Sequence, residues 1–118
     1  MDLTLNTETR NHIFFNKNGH ELNVGGRSLW FNSANDWKSI FSQANDLLKK
    51  DKVLNMDLNL SFEMVDSRSM PKLIEFIKGF KSHSKGDLIW SYEDEDMRDL
   101  GEDLEDVLGV QFTFKQAS

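Results

Sequence analysis

The sequence predicts an α/β fold: a mixed sheet of four to five strands with three helices mainly on one face, in the order ββαβαβαβ. Three patterns carry this expectation. An Asn-Gly pair stands between two short apolar segments near the start, strict apolar and polar alternation fills the middle, and three segments with apolar residues spaced by three and four separate the strands. Helices between successive strands imply crossovers and at least partly parallel pairing, while the opening hairpin adds an antiparallel edge.

Residues 1–11 are polar and aperiodic and read as a flexible N-terminal tail, leaving a single domain over 12–118. His12 to Asn16 and His20 to Val24 flank Asn18-Gly19, which suits a tight hairpin turn because glycine and asparagine tolerate positive φ. Gly25-Gly26 is expected to end that hairpin. Ser33 then caps a first helix, with Asp36 near its positive end and Trp37, Ile40, Phe41, Ala44, Leu47 and Leu48 on one face. From Leu54 to Met64 apolar residues alternate with polar ones, so the sheet needs cover on one side only. Pro71 is tolerated only in a first helical turn, which starts the second helix within a residue or two of Ser69; Met70, Leu73, Ile74, Ile77 and Phe80 form its buried stripe. Asp87 to Glu93 reads as a strand. Met97, Leu100, Leu104, Val107 and Leu108 mark a third helix ended by Gly109, and Val110, Phe112 and Phe114 alternate in a last strand.

Composition excludes several function classes. The 118 residues, 38% hydrophobic and 29% charged, suit one globular domain, and the lack of cysteine removes disulfide scaffolds, zinc ribbons and thiol catalysis. No apolar run approaches the ~20 residues of a membrane span, and the first residues lack the basic and apolar regions of a signal peptide, so a cytoplasmic protein is expected. The net charge is −6, with nine acids against one base between Glu93 and Asp106. No basic stripe exists to bind nucleic acid or an anionic membrane. The acidic segment reads as the solvated side of a helix, able to meet a basic protein surface.

Catalytic and metal-binding patterns fail one by one. His12, His20 and His83 are scattered and no G-x-S-x-G elbow accompanies them. Asp94 and Asp96 fit the first two positions of a calcium loop, but Arg98 and Asp99 break it. Neither Gly25-Gly26 nor Asn18-Gly19 belongs to a phosphate-binding motif. No enzyme, cofactor or metal is therefore expected.

The turn Asp66-Ser67-Arg68-Ser69 stands out, because it places two hydroxyls at a helix start directly after the clearest strand. Ordinary capping by Ser67 or Ser69 would explain them. Capping is what serine most often does there, and the other reading is a phosphoacceptor: phosphate there would meet the helix dipole and Arg68, and be repelled by Asp66.

Leu58 to Ile77, LNLSFEMVDSRSMPKLIEFI, resembles the SiaC family of bacterial biofilm-regulatory phosphoproteins, in which an alternating strand runs into an Asn-Thr-Ser-Ser-type turn and an apolar helix. It is more remotely similar to the turn of STAS-domain anti-anti-sigma factors. Gly86 before LIWSY, the acidic helix with Gly101-Glu102, the closing VQFTF and the upstream segment Gly26 to Asn32 match in order, and the similarity covers roughly residues 12–114. Serine replaces the family's threonine, Asp66 its asparagine, and Trp30-Phe31 its upstream Pro-Glu. The resemblance implies a STAS-like sandwich and a non-enzymatic switch that, unphosphorylated, binds and activates a diguanylate cyclase in c-di-GMP and biofilm signalling. It also implies a cognate Ser/Thr kinase and a PP2C-type phosphatase as partners. The phosphoacceptor falls on Ser67, with Asp66, Arg68 and Ser69 as the surrounding partner-binding and switch residues. Self-association into a homodimer is left open. The alternatives are an anti-anti-sigma-like partner switch, or a small-ligand module built on Trp30, Phe31, Trp37 and Trp90.

Overall fold

The computed structural model describes residues 13–50 and 56–117, with the side chains of 30–34 and 48–50 outside that description. The predicted tail, His12, Leu54 and Asn55 also lie outside it. The elements are β1 (Ile13–Asn18), β2 (Glu21–Ser28), α1 (Trp30–Lys50), β3 (Asp57–Val65), α2 (Met70–His83), β4 (Leu88–Tyr92), α3 (Glu95–Leu108) and β5 (Thr113–Gln116). This is the predicted ββαβαβαβ order. The five strands lie side by side in chain order, β1 antiparallel to β2 and every other neighbour parallel. Three crossovers of one hand that each advance one strand in the same direction set all three helices on the same face.

The opposite face carries a polar ladder. Asn23 donates to Asn16 at 3.1 Å, Asn59 to Asn23 at 3.0 Å, and Ser91 to Asn59 at 2.9 Å, so one row of side chains ties four strands together. On the helical face, Leu58, Leu60 and Phe62 of β3 are buried as alternation requires, joined by Ile13, Phe15, Leu22 and Val24 from the hairpin. Trp37 of α1 is fully buried, with ring centroids 6.1 Å from both Phe62 and Phe76 and 6.2 Å from Phe41. Trp90 fills the other half of the core, 5.5 Å from Phe112 and 6.5 Å from Phe62. Phe76, absent from the predicted stripe of α2, thus belongs to the core.

Several predicted boundaries move, for local reasons. The hairpin turn is Gly19-His20 with Gly19 at φ 62°, and Asn18 pairs with Glu21 as the last rung. Gly25-Gly26 does not end β2. A Cβ at Gly25 would collide with the backbone of Ser61 on β3, so glycine there permits close strand approach, and Gly26, at φ 101°, adjoins a shift of register. Helix α1 starts at Trp30 rather than Ser33, which leaves Asp36 beyond its first turn.

The alternation of β3 breaks at Glu63. Gly26 faces Phe62 but Arg27 faces Met64, so β3 holds one extra residue, a β-bulge that reverses the parity of the residues after it. Met64, expected inside, is 41% exposed, whereas Val65 packs against the core.

Helix α3 is capped at both ends. The Asp94 carboxylate accepts from Met97 N–H at 2.9 Å, and Gly109 closes the helix at φ 66° as predicted. Val107 of its predicted stripe is 64% exposed. Phe112 precedes β5 and remains buried, so the last strand begins later than expected.

Gly101 of α3 faces Trp90: a Cβ there would lie 2.7 Å from the indole and 2.8 Å from the Phe114 ring. Alanine normally stabilises a helix relative to glycine. Here Gly101→Ala is expected to lower unfolding free energy by about 1–3 kcal/mol through overpacking, measurable by urea denaturation.

Candidate functional site

The turn after β3 is anchored to the end of β2. Parallel pairing places Ser28 beside Val65, and the chain then leaves the sheet with Asp66 N–H donating to the Ser28 carbonyl at 3.0 Å. The Ser69 hydroxyl donates to the same carbonyl at 3.1 Å. On the other side of Ser28, the Trp37 indole N–H donates to Ser28 Oγ at 2.9 Å. One residue of β2 therefore joins α1 to the start of α2.

Within the turn, neither serine caps the helix. Ser69 has helical backbone angles, φ −80° and ψ −23°, and its side chain makes no capping bond. The cap comes from Asp66, whose Oδ1 accepts from Ser69 N–H at 2.9 Å. A carboxylate there also meets the positive end of the helix dipole. The Asp66 carbonyl accepts from Met70 N–H at 3.2 Å, Lys72 N–H donates to the Ser69 carbonyl at 3.0 Å, and Pro71 has no N–H to place.

The four candidate residues separate by exposure. Ser69 is fully buried, Asp66 partly buried, and Ser67 and Arg68 exposed. Among the described residues Arg68 makes no ion pair. Ser69 is thus a structural hydroxyl that a modifying enzyme reaches only by opening the turn, whereas Ser67 is presented to solvent.

The structure keeps the described histidines away from this turn. The His20 carbonyl accepts from Asp57 N–H at 2.8 Å, at the opposite end of nine-residue β3. Such a strand spans ~30 Å. His83 ends α2 at that far end too, next to Ser84, whose hydroxyl donates to the Met56 carbonyl at 2.6 Å. No group of three or more potential metal ligands forms among the described residues, and no described helix is long and apolar enough to cross a membrane. The expectation that Trp37 and Trp90 could line a ligand pocket is corrected: both are fully buried in packed core, and Trp90 donates to the Met97 carbonyl at 2.8 Å. The side chains of Trp30 and Phe31 lie outside the described residues. A cleft of about 790 Å³ between the ends of α2 and α3 is lined by Lys81, Lys85, Asp87, Glu105 and Asp106, far from Ser67.

Two contributors escape sequence reading. Ser28 matters through tertiary contacts that leave no periodic signature, and Met64 is exposed only because of the bulge.

These contacts predict an ordered set of stabilities. Ser67→Ala should change unfolding free energy by no more than about 0.5 kcal/mol, as exposed substitutions do. Asp66→Ala should lower it by about 1 kcal/mol through loss of the cap. Ser69→Ala should lower it by about 1 kcal/mol through loss of a buried hydrogen bond. Urea titration of the three variants checks the order.

The comparisons with known proteins agree with this fold. The crystal structure of apo-SiaC from Pseudomonas aeruginosa superimposes with a TM-score of 0.73, covering 99% of each chain at 14% sequence identity, a likeness of fold. No match was found among curated proteins. The model of the SiaC family of regulatory phosphoproteins matches residues 5–117, nearly the whole sequence. The chain therefore belongs to the SiaC family of regulatory phosphoproteins.

Proposed function

We propose that this protein is a non-enzymatic cytoplasmic switch phosphorylated on Ser67, which in its unphosphorylated form binds and activates a diguanylate cyclase. A cognate Ser/Thr kinase adds the phosphate and a PP2C-type phosphatase removes it. What supports the choice of residue is the contrast within one turn: Ser67 is exposed, whereas Ser69 is buried and bonded to Ser28. Family membership supports regulation by phosphorylation.

The partner surface is centred on the same turn. Exposed Met64 lies three residues before Ser67 and supplies an apolar, adaptable contact, and Arg68 supplies a charge. A partner seated over these residues covers Ser67. Phosphoserine brings nearly two negative charges beside Asp66, more than the single charge of Arg68 offsets, and desolvating such an incompletely paired anion costs several kcal/mol. A loss of about 4 kcal/mol turns a micromolar complex into a millimolar one.

Binding of purified variants to a diguanylate cyclase of the same host tests this reading. Ser67→Ala should bind and activate as the unmodified protein does, and Ser67→Glu should weaken binding by about tenfold or more, a difference of about 1.4 kcal/mol or greater. Full activation by Ser67→Glu would contradict the switch. Capture of an anti-sigma kinase in place of the cyclase would assign the same turn to partner switching of the anti-anti-sigma kind. Met64→Asp should weaken cyclase binding while leaving the urea midpoint nearly unchanged, since the side chain is already 41% exposed.

A further inference from the structure

The amides at the start of α2 are fully committed. Ser69 N–H is shared between the Asp66 carboxylate at 2.9 Å and the Asp66 carbonyl at 3.1 Å, Met70 N–H is held by the Asp66 carbonyl and Lys72 N–H by the Ser69 carbonyl, while Pro71 has none. A phosphate on Ser67 therefore finds no open helix amide. It carries nearly two negative charges one residue from the Asp66 carboxylate, and both anions are drawn to the same positive helix end.

We propose that phosphate on Ser67 displaces the Asp66 carboxylate from Ser69 N–H and so loosens the Ser28 bridge, which carries the change to Trp37 of α1. This deepens the reading of Ser67 as the modified hydroxyl and rests on it. Asp66 N–H and the Ser69 hydroxyl donate to the Ser28 carbonyl, at 3.0 and 3.1 Å, and both belong to the turn that the phosphate disturbs. Ser28 Oγ, in the same residue, holds the Trp37 indole at 2.9 Å. A shift of the Ser28 peptide therefore changes the Trp37 hydrogen bond directly. The surface that responds to Ser67 then extends beyond the turn to α1.

A second buried indole provides an internal control. Trp90 N–H donates to the Met97 carbonyl at 2.8 Å, within the β4–α3 unit and without a hydrogen bond to the turn. The full chain can be made with phosphoserine encoded at position 67, without any kinase, and its indole N–H signals followed by proton–nitrogen NMR. Trp37→Phe and Trp90→Phe assign the two signals. The Trp37 signal should move by more than its linewidth on phosphorylation and return after phosphatase treatment, while that of Trp90 stays. Asp66→Asn, which keeps an acceptor oxygen but removes the charge, should shrink the movement. Ser69→Ala without phosphate should move the Trp37 signal, because it deletes the hydroxyl that donates to the Ser28 carbonyl.

An unmoved Trp37 signal would overturn the coupling, as would equal movement of both indoles or an undiminished movement in Asp66→Asn. Because the phosphate is installed without a kinase, this outcome is separate from whether cells phosphorylate Ser67: a host protein never modified there would refute the switch and leave the measured coupling intact.

Discussion

The carbonyl oxygen of Ser28, at the end of β2, accepts hydrogen bonds from Asp66 N–H and from the buried Ser69 hydroxyl, and the presentation of Ser67 depends on this pair. A carbonyl has two lone pairs, and here both meet donors from a single turn. Without this carbonyl, the Ser69 hydroxyl would be a buried polar group lacking its partner, which proteins seldom tolerate. With both in place, the turn leaves the sheet in one direction and Ser67 points to solvent. Asp66 completes the arrangement from the other side by capping Ser69 N–H.

This arrangement reaches into the core. Ser28 Oγ receives the indole N–H of Trp37, whose ring packs against Phe41, Phe62 and Phe76, so α1, β3 and α2 converge on the residue that anchors the turn. The bulge at Glu63 belongs to the same region. It gives up one residue of pairing to turn Met64 outward and Val65 inward just before the chain enters the turn. An apolar side chain and, three residues later, a hydroxyl are thereby both exposed, and the proposed partner surface is built on them. The polar ladder from Asn16 to Ser91 keeps the uncovered face of the sheet hydrated and its strands in register.

Element order, sheet class and one-sided cover were legible because they follow from periodicity. The β3 pattern up to Phe62 needs one buried face, and Pro71 and Gly109 mark helix ends by their own backbone chemistry. Within the sheet, what failed involved a second strand. Gly25-Gly26 looks like a break because glycine often is one, yet Gly25 is needed where β3 comes too close for a side chain. A bulge cannot be read from alternation, which continues unbroken through Met64. At the turn, the sequence singled out four residues but could not divide their structural work. Asp66 caps, Ser69 staples, and only Ser67 and Arg68 are displayed, a division set by Ser28, 38 positions before Asp66 in the chain.

The most direct measurement is fragment mapping by mass spectrometry of the protein isolated from its own host, before and after phosphatase treatment. A phosphoryl group on Ser67 that phosphatase removes, with Ser69 unmodified, is the expected result. Phosphate on Ser69, or an unmodified Ser67 under every growth condition, would contradict the assignment of Ser67 as the switch and reduce it to an exposed residue of a well-anchored turn.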